Sequence, residues 1–228
     1  MEIFNTRNAS RTHGIKALIY AKSGYGKTYL ARTAPNPIIL SAESGVLTLR
    51  DVDLPMVIIK TVKDLETFYQ LVTTDKRYMQ FGTIYVDSLS EIAEVVLANA
   101  KNVVKDQRQA YVKLTDDLIP LIKAYRDLPN KHVVFTAKQD SNKDELTGIV
   151  TQGPMMPGTK LGKELPYLFD EVFRLGIGKT DKGVQYRYIQ TQPDAQNEAK
   201  DRSGILDAME PPDLTKIFNK ILAATAAT

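Results

Sequence analysis

The 228-residue sequence contains no cysteine, which excludes a disulfide framework and any thiolate metal site. Imidazole is scarce as well: His13 and His132 are the only two histidines, too few ligands for a structural zinc ion. No stretch approaches the ~20 consecutive apolar residues of a membrane span. The opening MEIFNTRNASRTHG has no apolar run behind its basic residues, so neither a leader nor membrane attachment is expected, and the default compartment is the cytoplasm. An excess of one charge sign is also missing. Thirty basic residues face 27 acidic ones, for a net charge of +3 and an isoelectric point near 8.8. Such a surface permits nucleic-acid binding without demanding it.

What the sequence does contain is enough apolar material, 43%, for one α/β core. Short runs rich in β-branched residues alternate with longer helical patterns, which predicts a mostly parallel central sheet flanked by helices. The expected strands are Lys16 to Tyr20, Ile38 to Ser41, Met56 to Lys60, Thr83 to Asp87 and His132 to Ala137. Thr61 and Asp64 stand at capping-box spacing before the helical face of Leu65, Phe68, Tyr69, Leu71 and Val72. Helices are also expected over Ser90 to Val104 and Gln109 to Asp127, the second interrupted by Pro120, which should kink it or end a turn there. Asp140 to Gly162 collects glycine and proline with little periodicity and reads as a long exposed loop. Beyond it, Glu171 to Gly176 and Val184 to Thr191 predict a C-terminal antiparallel hairpin. The organisation is then a tail over 1–14, a core over 15–207, and a C-terminal helix and tail over 208–228.

One motif is specific. Ala21-Lys22-Ser23-Gly24-Tyr25-Gly26-Lys27-Thr28 fits the phosphate-binding P-loop, with alanine in the first position where glycine is commoner, and it leaves a predicted strand for a predicted helix. Ser23, Gly24, Tyr25 and Gly26 would wrap the phosphates of ATP, Lys27 would reach the β- and γ-phosphates, and the Thr28 hydroxyl would coordinate Mg²⁺. Tyr25 either stacks or fills space. A second motif, Thr83-Ile84-Tyr85-Val86-Asp87-Ser88, is an apolar strand ending in the carboxylate that a P-loop site needs on its magnesium side. Ser88 follows Asp87 where many AAA ATPases have glutamate, so the water-polarising base must come from elsewhere. Glu43, at the end of the second strand, is the candidate.

Glu43 closing the strand after the P-loop helix, and Asp87-Ser88 closing an apolar run, resemble the core of the RecA/RadA recombinases. Thr136-Ala137-Lys138-Gln139 ends a further strand where that family places a γ-phosphate sensor before a mobile DNA-binding loop, and either Lys138 or Gln139 matches it. Lys200-Asp201-Arg202 resembles the family's Lys-x-Arg element, which would make Lys200 and Arg202 fingers toward a neighbouring subunit's ATP. The order of these features, over about residues 15 to 207, is similar to that of the compact phage RecA-like single-strand annealing ATPases. The resemblance implies a RecA-like P-loop ATPase acting on single-stranded DNA in recombination or annealing, in a phage-infected host. It further implies assembly into a ring or filament and a single-stranded-DNA-binding protein as partner. Within the glycine-rich segment Lys143, Gln152, Met155, Met156 and Lys160 would meet the strand. A helicase-loader or replication-accessory ATPase with a protein partner is the alternative.

Overall fold

The protein was analysed as a computed structural model, which describes residues 13–43, 45–143 and 148–227. Its centre is strand β1 (Lys16–Ala21), every residue of which is buried. The strands β2 (Pro37–Ser41), β3 (Met56–Ile58), β4 (Thr83–Asp87) and β5 (His132–Lys143) run parallel to it. The sheet continues on the other side of β1 with β7 (Glu171–Lys179), β8 (Gln185–Gln190) and β10 (Met209–Glu210), in the order β10-β8-β7-β1-β5-β4-β2-β3. The expected antiparallel hairpin is β7 with β8, Lys179 opposite Gln185. Two short strands lie off this path: β6 (Val150–Pro154) pairs with β5 and β9 (Lys200–Asp201) with β7.

The central strands have no polar face because each side of the sheet carries its own core, and the strand period of two sorts alternate residues between them. Leu18, Tyr20, Ile84, Val86, Val133 and Phe135 enter one core. There they meet α2 (Val62–Thr74), α4 (Leu89–Val103) and α5 (Gln107–Arg126), the single turn α3 (Lys76–Met79) following α2. Ala17, Ile19, Ala21, Tyr85 and Val134 enter the other, against α1 (Lys27–Leu30) and α7 (Leu214–Ala227), the latter through Leu214, Ile217, Phe218 and Ile221. The capping box of α2 forms as its spacing predicts. Asp64 N–H donates to Thr61 Oγ1 at 3.2 Å, and Thr61 N–H to Asp64 Oδ2 at 2.9 Å.

Two expectations require correction. Pro120 does not end its helix: α5 runs unbroken from Gln107 to Arg126, because Leu114, Leu118, Ile122 and Tyr125 on either side of the proline are all buried. The segment from Asp140 to Gly162 is not a bare loop. Strand β5 runs out of the sheet as far as Lys143 and folds back as β6, Gln139 opposite Pro154 and Lys143 opposite Val150. A helical turn, α6 (Thr159–Glu164), follows. The outer half of this hairpin is exposed, so no burial pattern marks it, and its strands are defined by their backbone ladder alone. The helix entered by the P-loop is short, since Pro35 forces Ala34 into an extended conformation and leaves only α1 and a 3₁₀ turn over Ala31–Thr33. Of the expected N-terminal tail, residues 1–12 lie outside the described residues.

Where β9 meets β7, the carboxyl group of Glu171 is 2% exposed and one of its oxygens has no hydrogen-bond partner. Burial, with the Asp201 carboxylate beside it, pushes its pKa up to about 8. The folded chain therefore binds a proton that the unfolded chain releases near pH 4.5, and the stability this group contributes falls as pH rises from about 4.5 to about 8. Glu171→Gln is accordingly expected to raise the melting temperature by a few degrees at pH 8, with the gain fading toward pH 4.5, as thermal denaturation across that range will measure.

Candidate phosphate site

The P-loop leaves the C-terminal end of β1 with Gly24 at φ 78° and Gly26 at φ 102°, left-handed conformations that a side chain would strain. The loop thus presents its backbone without side-chain bulk, and no neighbouring atom lies within 4 Å of where a Gly24 Cβ would stand. Ser23 is exposed, and Tyr25 packs partly against the α1 and α7 core. Lys27 folds back over the loop, its ammonium 3.1 Å from the Ala21 carbonyl oxygen. Its backbone is pinned in turn, because the buried Tyr85 hydroxyl donates to the Lys27 carbonyl at 2.6 Å.

Asp87, at the end of β4, is 2% exposed and accepts two hydroxyl hydrogen bonds, from Thr28 at 2.6 Å and from Thr136 of β5 at 2.5 Å. Burial raises its pKa, against the hydroxyl bonds and the nearby Lys27, which lower it. Burial also lowers the pKa of Lys27, against the pull of Asp87 and Glu43. Two desolvated groups of opposite charge in one recess form a site suited to further charge. Thr28 Oγ1 and Asp87 Oδ2 are hard oxygens within reach of one ion, and Lys27 stands beside them. This donor set fits magnesium held jointly with a polyphosphate. Among the described residues no cluster of three or more histidine or acidic side chains could hold a metal independently.

Glu43 reaches the same recess from the end of β2, and Ser88 Oγ donates to its Oε1 at 2.7 Å. Ser88 is also the N-cap of α4, accepting from Glu91 N–H at 3.4 Å, so one hydroxyl fixes both the helix and the carboxylate. Lys27, Thr28, Glu43 and Asp87 therefore converge, together with Thr136 and Ser88, which the sequence reading had not assigned to the site. Their signal was the polar residue in each apolar strand end: Thr136 in Val133 to Ala137, and Ser88 directly after Asp87.

The sensor candidates are placed differently. Lys138 lies close enough to Lys27 to depress its pKa, but its ammonium is engaged on α4, 2.7 Å from Glu91 and 3.4 Å from Glu94. Gln139 turns away into the hairpin, donating to Gln152 Oε1 at 2.5 Å. Lys200 and Arg202 lie at the other end of the sheet from the P-loop, since Asp201 of β9 pairs with Glu171 and Glu171 with Ala17 of β1. The Lys200 ammonium is held by the carbonyl oxygens of Pro166 and Phe169, and Arg202 pairs with Asp170 at 2.8 Å.

Of the residues assigned to nucleic acid, Lys143 is exposed near the end of the hairpin and Gln152 is half-buried within it. Lys160 is exposed on α6, near Glu164. Met155 is partly exposed, whereas Met156 is only 8% exposed and belongs to the core, so it is corrected to a packing residue.

The root of the hairpin is tied to the phosphate site through Ser90. Its hydroxyl accepts from Lys138 N–H at 2.9 Å and donates to the Met155 carbonyl at 2.7 Å, while Met155 N–H donates to the Lys138 carbonyl at 2.7 Å. Ser90 is two residues beyond Ser88, so the helix start that positions Glu43 also clasps both strands of the hairpin.

Comparison with known proteins agrees with this geometry. A protein family described as AAA domain matches residues 13–203, from just ahead of β1 to just past β9. No curated protein matches the chain. Among the described residues no helix is long and apolar enough to cross a membrane. With its P-loop, its Asp87 strand and its mostly parallel sheet all inside the matched span, the chain belongs to the AAA domain family, whose fold is that of a nucleotide-binding P-loop ATPase.

Proposed function

We propose that the protein binds ATP with magnesium, hydrolyses it, and uses that cycle to act on single-stranded DNA in recombination or annealing. The observation that carries this reading is the short path from Asp87 to the exposed hairpin. Thr136, bonded to Asp87, lies on the same strand that becomes the hairpin, and Ser90 clasps the hairpin root. Nucleotide state and hairpin order are thereby coupled through hydrogen bonds rather than through loose chain.

In this reading Thr28 and Asp87 hold the metal and Lys27 takes phosphate oxygens. Magnesium, when bound, neutralises charge on the β- and γ-phosphate oxygens. Glu43, oriented by Ser88, accepts the proton of the water whose oxygen attacks the γ-phosphorus as the bond to ADP breaks. Lys143, Lys160, Gln152 and Met155 belong to the surface offered to the strand. Lys138 and Gln139 are the link between phosphate and hairpin, the first exchanging Glu91 and Glu94 for phosphate. Lys200 and Arg202 would act between copies in a ring or filament, after leaving the partners they hold within one chain. A single-stranded-DNA-binding protein is the partner this reading supplies.

Steady-state ATPase rates with and without single-stranded DNA at low salt test it. DNA is expected to stimulate hydrolysis, and Lys27→Ala to abolish both basal and stimulated rates. Nucleotide binding that is indifferent to DNA would favour an accessory ATPase activated by a protein. Glu43→Gln is expected to lower kcat by about 10² or more with nucleotide affinity retained, and Ser88→Ala by about tenfold, as single-turnover hydrolysis will measure. Ser90→Ala, whose side chain bonds none of Lys27, Thr28, Glu43 and Asp87, is expected to keep the basal rate and lose most of the stimulation; equal stimulation in that variant would remove the hairpin clasp from the mechanism.

A further inference from the structure

The hairpin of β7 and β8 carries an arginine to the phosphate loop. Arg187 stands opposite Ile177, between Tyr186 and Tyr188. The rings of those two tyrosines lie over Gly178 and Gly176, where an added Cβ would come within 3 Å of each ring. Strand alternation therefore turns Arg187 to the opposite face. There its Nε–H donates to the Tyr25 carbonyl at 2.8 Å. A Cβ built on Gly26 would stand 3.3 Å from that nitrogen, so the guanidinium lies against the loop itself.

Among the described residues, the rest of the guanidinium is uncommitted. Arg32, Arg77, Arg126 and Arg202 each pair with an aspartate. Arg187 has no carboxylate partner among the described residues, and its two Nη groups bond nothing there. A bond through Nε leaves the planar Nη fork free, the geometry that matches phosphate oxygens.

Such a cation suits the site. A nucleotide polyphosphate brings several negative charges into a recess that already holds Asp87 and Glu43, against which the loop sets the ammonium of Lys27 and, more exposed, that of Lys22. Helix α1 is four residues long, so few aligned peptide dipoles stand behind the loop to offset that charge.

We propose that Arg187 is a nucleotide-contacting residue: its Nε braces the P-loop at Tyr25 while its Nη donors bind oxygens of the nucleotide's outer phosphates, beyond the α-phosphate. This rests on the reading of the loop as a nucleotide site. It adds that the edge hairpin, outside the motif, completes the site. Because Arg187 is exposed, its replacement leaves the core intact, which far-UV circular dichroism and melting temperature verify.

The test is calorimetric titration of ATP, ADP and AMP, with magnesium, into the full chain and into Arg187→Ala, Arg187→Lys and Lys27→Ala. Arg187→Ala is expected to raise the Kd of ATP and of ADP about tenfold or more and to change that of AMP by no more than about twofold. Arg187→Lys is expected to fall between, since one ammonium keeps the charge without the fork. An ATP affinity within about twofold of wild type in Arg187→Ala overturns the assignment. So does an equal loss for AMP, which would put the contact on the α-phosphate or the nucleoside rather than on the outer phosphates. If wild type binds ATP and Lys27→Ala does not while Arg187→Ala does, only the role of Arg187 falls. If wild type binds no nucleotide, the reading of the loop falls with it.

Discussion

Asp87 is the group on which the rest of the site depends. It is a buried carboxylate, and it is held by hydroxyls from two other elements, Thr28 after the P-loop and Thr136 on β5. Burying a charge without partners is costly, so each hydroxyl offsets part of that cost and in return has its own position fixed. The carboxylate thereby ties the ends of three strands into one recess. Ser88, next in the chain, extends the arrangement to Glu43 and to the first turn of α4.

The consequences run outward along α4. Ser90 lies in the turn that Ser88 caps, and its hydroxyl joins the two strands of the projecting hairpin at their root. Glu91 and Glu94 on the same helix hold Lys138. A second anchor sits two residue pairs farther along the hairpin, where the single proton of the Tyr20 hydroxyl is shared between the carbonyl oxygens of Gln152 and Glu198. The hairpin is thus rigid at its base and solvated beyond it, a division that suits an element ordered by what it touches.

Much of the fold was legible in the sequence, for a physical reason. Strands buried on both faces are continuous apolar runs, and β1, β2, β4 and the inner half of β5 are that. The P-loop and Asp87 were legible because phosphate and magnesium demand fixed residue types at fixed spacings. The β5–β6 hairpin was not, since both of its faces are wet and its ladder uses backbone groups common to every residue. Lys200 looked like a free cation because sequence does not reveal the Pro166 and Phe169 carbonyls that receive it. Arg187 gave no signal at all, as its place beside Tyr25 depends on a strand pairing far along the chain. Met156, read as a contact residue, turned inward because α6 folds the glycine-rich segment back over the core.

The central place of β1 also bears on how the chain comes to its native state. The strand precedes both of its neighbours in the sheet, which begin at His132 and Glu171. During synthesis the P-loop therefore leaves the ribosome before either strand that will flank β1. Thr136 and Arg187 arrive only after long intervening stretches of chain. Closing such distant pairs carries the entropic cost of long loops and slows folding. The nascent chain would therefore acquire its phosphate recess late, as one of the last cooperative events of folding, and a ribosome-bound fragment ending before β7 would carry the motif without the site.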